Sequence, residues 1–476
     1  MTERAIDLEV MIGNRFMHQV SVPVATCNRR RPYRLAHALA LVLAALTLTA
    51  CGKASSSTPP PTPPAAPLAS DYDSAERTIR FLEDRVKRDP DDIIAYNRLA
   101  GCYLQRLRET GSLNYLDLAS RAARASLNAI SADIGNTGGL AALAQVEFAS
   151  HEFAASRDHA RELIQRDASK SYTYQILGDS LFELGDYDGA AAIFKLMEHR
   201  SDGSASGTVA IEVRLARLAL LRGETKAAQK HLSAALISAL DLNPAPRETV
   251  AWCRWELGET SFSAGDYETA ERHYRDTLIT FPDYYRALVS LGRVRAARGD
   301  SPGAIEQYER AIRILPDPTF VAALGDLYAL SGRQKEAAVQ YELVEHIARL
   351  GAINGVMYNR QLALFYADHD LKAEEAYASA AKEYEVRRDI YGADAVAWTA
   401  LKARKLAEAQ SAIKEALRLG TRDAKLFYHA GMISRAAGDF ASARDYLERV
   451  LKLSPQFDPM QALNARHALE MTGSER

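Results

Sequence analysis

Cysteine, tryptophan and net charge are all scarce in this chain. Four cysteines among 476 residues (Cys27, Cys51, Cys102 and Cys253) cannot build a disulfide framework. The 59 Lys+Arg against 61 Asp+Glu leave a formal net charge of −2, so no basic excess calls for a nucleic-acid partner. Beyond residue 50 no unbroken apolar run approaches the ~20 residues that a membrane helix needs. Also missing, in any context that would support them, are a phosphate loop, HExxH, CxxC and a nucleophile elbow. The eleven histidines are scattered, and His151 and His159 fall at no metal-ligand spacing. His369-Asp370 reads as a solvated turn or helix cap rather than a catalytic pair, because adjacent residues rarely face one another. Neither a metal nor another cofactor is expected, and the chain is not expected to be an enzyme.

What is present begins with a processing signal. Arg29, Arg30, Arg31 and Arg34 precede an apolar core from Leu35 to Thr49, about the length of a signal peptide and too short for a span. The closing run Leu48-Thr49-Ala50-Cys51 resembles the lipobox of bacterial lipoproteins. That resemblance implies cleavage of residues 1–50 and acylation of Cys51, with more than the two lipid signals that stable anchoring takes. Gly52 and Lys53 follow instead of an acidic residue, which by the same resemblance favours an outer-membrane destination, facing the periplasm or the cell surface. Fifty residues is long for such a signal, so translation starting at Met17 is an alternative.

Residues 51–72 read as a tether. Lys53 to Ser70 is KASSSTPPPTPPAAPLAS, with too little apolar bulk to fold and enough proline to favour an extended chain. Eighteen residues at ~3.1 Å each would span roughly 55 Å and hold the folded part clear of a bilayer.

From about residue 73 a small residue recurs at Ala100, Ala144, Gly178, Ala216, Gly258, Gly292, Gly325, Ala363, Ala397 and Gly431, and five of the nine intervals are 33 or 34. A glycine follows seven residues later at Gly185, Gly223, Gly265, Gly299, Gly332 and Gly438; an alanine follows twelve later at Ala190, Ala228, Ala270, Ala304, Ala337, Ala409 and Ala443. Such a period marks a solenoid. Each unit reads as two helices: the small anchor allows close helix contact, the glycine ends the first helix, and Pro282, Pro316 or Pro455 stops the second. Cys102 and Cys253 then lie four units apart, tens of ångströms at ~10 Å per helix layer, and are expected to be buried free thiols.

The pattern Leu291-Gly292, Ala304, Tyr308, Ala311 and Pro316, with Leu257-Gly258, Ala270, Tyr274 and Pro282, resembles the tetratricopeptide repeat. The fold implied is an all-α superhelical solenoid of about ten helical hairpins, starting near Ile93, Thr137, Ser171, Val209, Ala251, Tyr285, Pro318, Val356, Ile390 and Ala424. Irregular repeats would fill residues 73–245 and regular ones 246–476, with single helices at Ser74–Arg88 and Pro459–Met471 covering the ends. The connections His199–Gly207 and Asp241–Thr249 mark possible breaks, an insertion lies near Glu109–Tyr115, and Ser156 stands where the second unit should have alanine.

By family positions the inner surface would carry Tyr172, Gln175, Asp179 and Phe182, then Trp252, Trp255, Glu259 and Phe262, then Arg286 and Arg293, and further on Asp326, Arg360, Tyr391, Trp398, Tyr428 and Arg435. Aromatics beside arginines are the composition of binding hot spots, although Trp252 and Trp255 suit packing between helices equally well. The resemblance implies a groove that receives a protein or peptide partner. The reading is thus a lipid-anchored adaptor or scaffold. Alternatives are an assembly factor for a secretion, pilus or polysaccharide-export machine, and a glycan-binding or self-associating structural lipoprotein.

Overall fold

The computed structural model describes residues 62–68, 72–353 and 360–474. The signal segment, Cys51 and the first part of the tether lie outside the described residues. Among the described residues there are 22 α-helices and no strand. A leading helix α1 (Tyr72–Arg88) is followed by the hairpins α2 (Ile93–Thr110)/α3 (Asn114–Ala129), α4 (Thr137–Ala149)/α5 (Phe153–Arg166), α6 (Ser171–Glu183)/α7 (Tyr187–His199), α8 (Ala205–Leu221)/α9 (Thr225–Leu240) and α10 (Arg247–Ser263)/α11 (Tyr267–Thr280). Next come α12 (Tyr285–Ala297)/α13 (Ser301–Ile314), α14 (Pro318–Leu330)/α15 (Gln334–Ile353), α16 (Arg360–Asp368)/α17 (Ala373–Val386), α18 (Ile390–Lys402)/α19 (Leu406–Ala416) and α20 (Ala424–Ala436)/α21 (Phe440–Leu453), closed by α22 (Pro459–Ser474). Ten hairpins between two flanking helices is the architecture read from the repeat.

The turns explain why the chain reverses where it does. The residue seven after the anchor takes a left-handed conformation in every unit but the first, with φ of +84° at Gly185, +79° at Gly265 and +83° at Gly299; the first unit, with its insertion, turns at Gly111 instead. The aspartate that follows then caps the second helix: Asp186, Asp266, Asp300 and Asp439 each accept from the backbone N–H three residues on. The anchors themselves sit under large side chains. Gly258 faces the ring of Tyr274 and Gly292 that of Tyr308, so a Cβ at Gly292 would lie 2.8 Å from Tyr308 Cδ2. Ser156 belongs to this packing too: its hydroxyl donates to the Ala144 carbonyl at 2.8 Å and accepts from Ser180 at 3.0 Å, which makes a hydroxyl tolerable in a fully buried alanine slot.

Both long connections are shorter than expected, because α8 and α10 each start one turn before the repeat register, at Ala205 and Arg247. Apolar packing runs across them. One core cluster joins Val209 and Leu236 to Trp252, Tyr274 and Val294. Another joins Ile176 and Phe194 to Ile390, Ala397 and Leu426, far apart in sequence.

That second cluster reflects a tight winding in which the turns of early hairpins meet later connections. Tyr187 accepts from the Ile390 N–H at 3.0 Å, Arg418 donates to the Gly185 carbonyl at 3.1 Å, and Thr421 donates to the Leu221 carbonyl. Ser454 donates to the Phe262 carbonyl at 3.2 Å, and Tyr267 accepts from the Gln456 N–H at 2.8 Å. The partners are 189 to 233 residues apart, so successive superhelical turns touch directly.

The tether departs from its expected form. Its second half, Thr62–Leu68, lies against the array: Arg254 donates to the carbonyls of Pro63 and Pro64, each at 3.1 Å, and Leu68 packs on the core cluster around Trp252. The stretch able to provide stand-off therefore ends near Thr62. Cys253 is a buried free thiol, and Cys102 is free but only half-buried.

Candidate functional site

The inward positions of neighbouring units are brought together, as the register requires, and are then largely used up by one another. On α6, Asp179 is fully buried and pairs with Arg214 of the next unit. Burial pushes the Asp179 carboxyl up and Arg214 offsets only part of that. Phe182 lies 4.1 Å beneath the guanidinium of Arg217, which also reaches Glu183 at 2.6 Å. Gln175 is buried, and Tyr172 packs half-buried against the same core.

On α10 and α12 a connected network forms. Trp255 Nε1 donates to Ser290 Oγ at 2.9 Å, and Ser290 donates to Glu259 Oε1 at 2.6 Å. Tyr274 donates to the same oxygen at 2.7 Å, while Arg293 reaches Glu259 Oε2 at 3.0 Å. Arg293 also covers the ring of Phe262 at 4.2 Å, and Arg286 stands 5.6 Å from the ring of Trp255. Burial opposes the charge on Arg293, but Glu259 together with Tyr274 and Tyr308 more than offsets it, and its pKa is raised. Trp252 is 2 % exposed and belongs to the core, so the packing alternative is the correct one for it.

Toward the C-terminal end the inner positions of five successive layers converge. Asp368 accepts from Trp398 Nε1 at 2.7 Å, from Gln461 of α22 at 2.8 Å and from Lys425 at 3.3 Å. Asp326 accepts from Tyr341 at 2.8 Å and binds His369 Nε2 at 2.8 Å. His369 is thus no solvated turn residue: its ring reaches inward to the unit before, while Asp370 is exposed and pairs with Lys402 at 2.7 Å. Tyr428 is buried beside Trp398, with ring centroids 5.6 Å apart. Arg360 is buried between Asp389 and Glu383, at 2.7 and 2.9 Å.

The open groove expected from the repeat is consequently narrow. Gln175, Asp179, Phe182, Trp252, Trp255, Phe262, Arg286, Arg360, Trp398 and Tyr428 are buried; Tyr172, Glu259, Arg293, Asp326, Tyr391 and Arg435 stay partly exposed. Sequence reasoning missed Ser290, Arg217, Asp368, Lys425 and Gln461. The signal for Asp368 was its place at the end of a first helix, one residue beyond the last inward position of its unit, Ala367.

A family model described as tetratricopeptide repeat matches residues 141–205, 256–318 and 395–456. The chain carries tetratricopeptide repeats. Over 195 residues it is 27% identical to the BBSome complex member bbs-4 of Caenorhabditis elegans, an alignment covering 38% of this chain and 39% of that protein. The chain thus spans about two fifths of the length of that curated relative. Among solved structures, BtubC from P. vanneervenii aligns with a TM-score of 0.36 and 21% identity, covering 43% of this chain and 91% of that one. PilW, titled a widely conserved type IV pilus biogenesis factor, aligns with a TM-score of 0.37 and 14% identity over 46% of this chain and 93% of its own. Tetratricopeptide repeats are protein-interaction modules, generally without catalysis of their own. No described helix is long and apolar enough to cross a membrane.

Proposed function

We propose that this protein is a membrane-anchored adaptor: lipid on Cys51 fixes it to a membrane, and its tetratricopeptide array binds segments of other proteins. The anchor rests on the run Leu48-Thr49-Ala50-Cys51 behind an arginine-flanked apolar core. The observation that carries the binding reading is a polar stripe left partly open in three consecutive units. Glu259, Arg293 and Asp326 each follow their unit's anchor, alternate in sign, and stay partly exposed while most inner positions close. Alternating charges on ordered helices suit a peptide bearing complementary charges, because rigid placement lowers the entropy lost on binding.

Crosslinking in intact cells tests the reading. Arg293→Ala with Asp326→Ala is the informative variant, since truncating the buried Trp255 would unfold the site as well as empty it. Loss of the captured partner with helix content and melting temperature retained supports the stripe; unchanged recovery removes it. Cys51→Ser should release the protein from the detergent-rich phase on phase partitioning, and retention there would remove the lipid anchor.

A further inference from the structure

Arg254 occupies a place where the repeat wants an apolar side chain. Four residues before the anchor, seven of the nine sister units have Tyr96, Leu140, Tyr174, Leu288, Val321, Ala393 or Phe427; Glu212 and Asn359 are the two polar exceptions. Yet Arg254 is 1 % exposed, and its nearest carboxylate, Asp276 Oδ2, stands 3.8 Å away, beyond a good hydrogen bond. A buried guanidinium is costly unless its N–H groups find acceptors. Here the acceptors come from outside the hairpin, as the carbonyls of Pro63 and Pro64.

The fit is chemical as well as geometric. Consecutive prolines have no N–H to donate but keep their carbonyls, so a donor-only side chain such as arginine is the matching partner. Leu68 adds an apolar foot on the core cluster that holds Trp252 and Leu236. With 3.6 residues per turn, Arg254 lies roughly 120° around α10 from the face holding Trp252, Trp255, Glu259 and Phe262. It therefore belongs to a different surface from the polar stripe.

We propose that the surface of α10 around Arg254 is a binding site for a proline-rich segment, filled in cis by Thr62–Leu68. The site reads two adjacent proline carbonyls and one downstream aliphatic side chain. Its occupant makes the chain upstream of Thr62 leave the array at the fifth hairpin rather than at α1. Combined with the lipid anchor proposed above, this leaves ten residues, 52–61, between Cys51 and the docked strap, roughly 35 Å of extended reach. The strap itself does not depend on that anchor.

A double-mutant cycle on the full chain tests the site. Vacating the strap with Pro63→Gly, Pro64→Gly and Leu68→Ala should lower the melting temperature by several degrees. In an Arg254→Leu background, which restores the apolar residue of most sister units, the same change should cost less than half as much. A synthetic peptide of residues 60–70 at ~1 mM, the effective concentration of a short linker, should raise the melting temperature of the vacated variant and not that of its Arg254→Leu derivative. Equal losses in the two backgrounds, or no rise with peptide, would overturn the proposal. Either result would leave the crosslinking outcome for the polar stripe unaffected.

Discussion

Glu183, the last residue of α6, accepts from Arg217 of the next hairpin at 2.6 Å and, with its other oxygen, binds Arg387 across 204 residues of sequence. Its carboxylate therefore pins neighbouring units and neighbouring superhelical turns at once. Glu183→Ala takes the paired carboxylate from Arg217 and one of several from Arg387, largely buried cations 12 % and 15 % exposed. Arg387 keeps Asp389 at 3.1 Å, which places the loss near about 3 kcal/mol, the lower end for a broken buried pair. Urea unfolding measures it. Hydrogen exchange in α18 should quicken together with that in α6; quickening confined to α6 and α8 would mean that the contact between turns contributes little.

Two glycines separate packing from propensity. A Cβ on Gly258 collides with the ring of Tyr274, which is fully buried and held by its hydrogen bond to Glu259. Gly258→Ala should cost about 1–3 kcal/mol, the price of overpacking. Gly101, in the middle of α2, meets nothing within 4 Å of a built Cβ. Gly101→Ala should stabilise by up to about 1 kcal/mol from helix propensity alone. Thermal melts of the pair give opposite signs if the anchor register is right.

Seven of the ten units begin at the residue that the repeat picked out, among them Ile93, Thr137, Ser171, Tyr285 and Ala424. The register was legible because a small anchor, a left-handed turn and an aspartate cap each leave a residue at a fixed offset. The inner surface was less legible. Which face of a first helix points inward follows from periodicity, but how far the facing helices stand apart does not. That distance depends on contacts such as Tyr187 with Ile390 and Asp368 with Gln461, which join residues with no shared spacing. The docked strap escaped for the opposite reason: its composition argues for a free chain, and only the misplaced charge of Arg254 hinted at an acceptor.

The left-handed turn also persists where glycine is absent. His151, Asp370 and Arg404 fill the position seven after their anchors, with φ of +63°, +54° and +60°. An L-residue pays about 1–2 kcal/mol to adopt that conformation, while glycine loses more freedom on folding, which returns part of the gain. Arg404 is exposed, so Arg404→Gly should raise stability by about 0.5–1 kcal/mol in chemical denaturation. Asp370→Gly should gain less, because it gives up the 2.7 Å ion pair with Lys402. A loss at Arg404 would show that the turn owes its shape to something other than backbone preference.

Glu256 gives the array a pH dependence of defined sign. Burial, then the neighbouring charge of Glu259, pushes its pKa up to about 8 from an ordinary 4.5, with Arg217 and Arg286 offsetting only part of the rise. Between those two values the folded chain holds a proton that the unfolded chain has released. The contribution is therefore fully present below pH 4.5 and is lost as the pH climbs through about 8. Glu256→Gln removes the titration while keeping the shape of the neutral acid. Its melting temperature should match that of the native chain near pH 4.5 and exceed it increasingly toward pH 8, once the other groups cancel in the comparison. A difference between the two chains that stays constant from pH 4.5 to 8.5 would mean that Glu256 ionises in the ordinary range, and that the interior beside Trp255 is wetter than its packing implies.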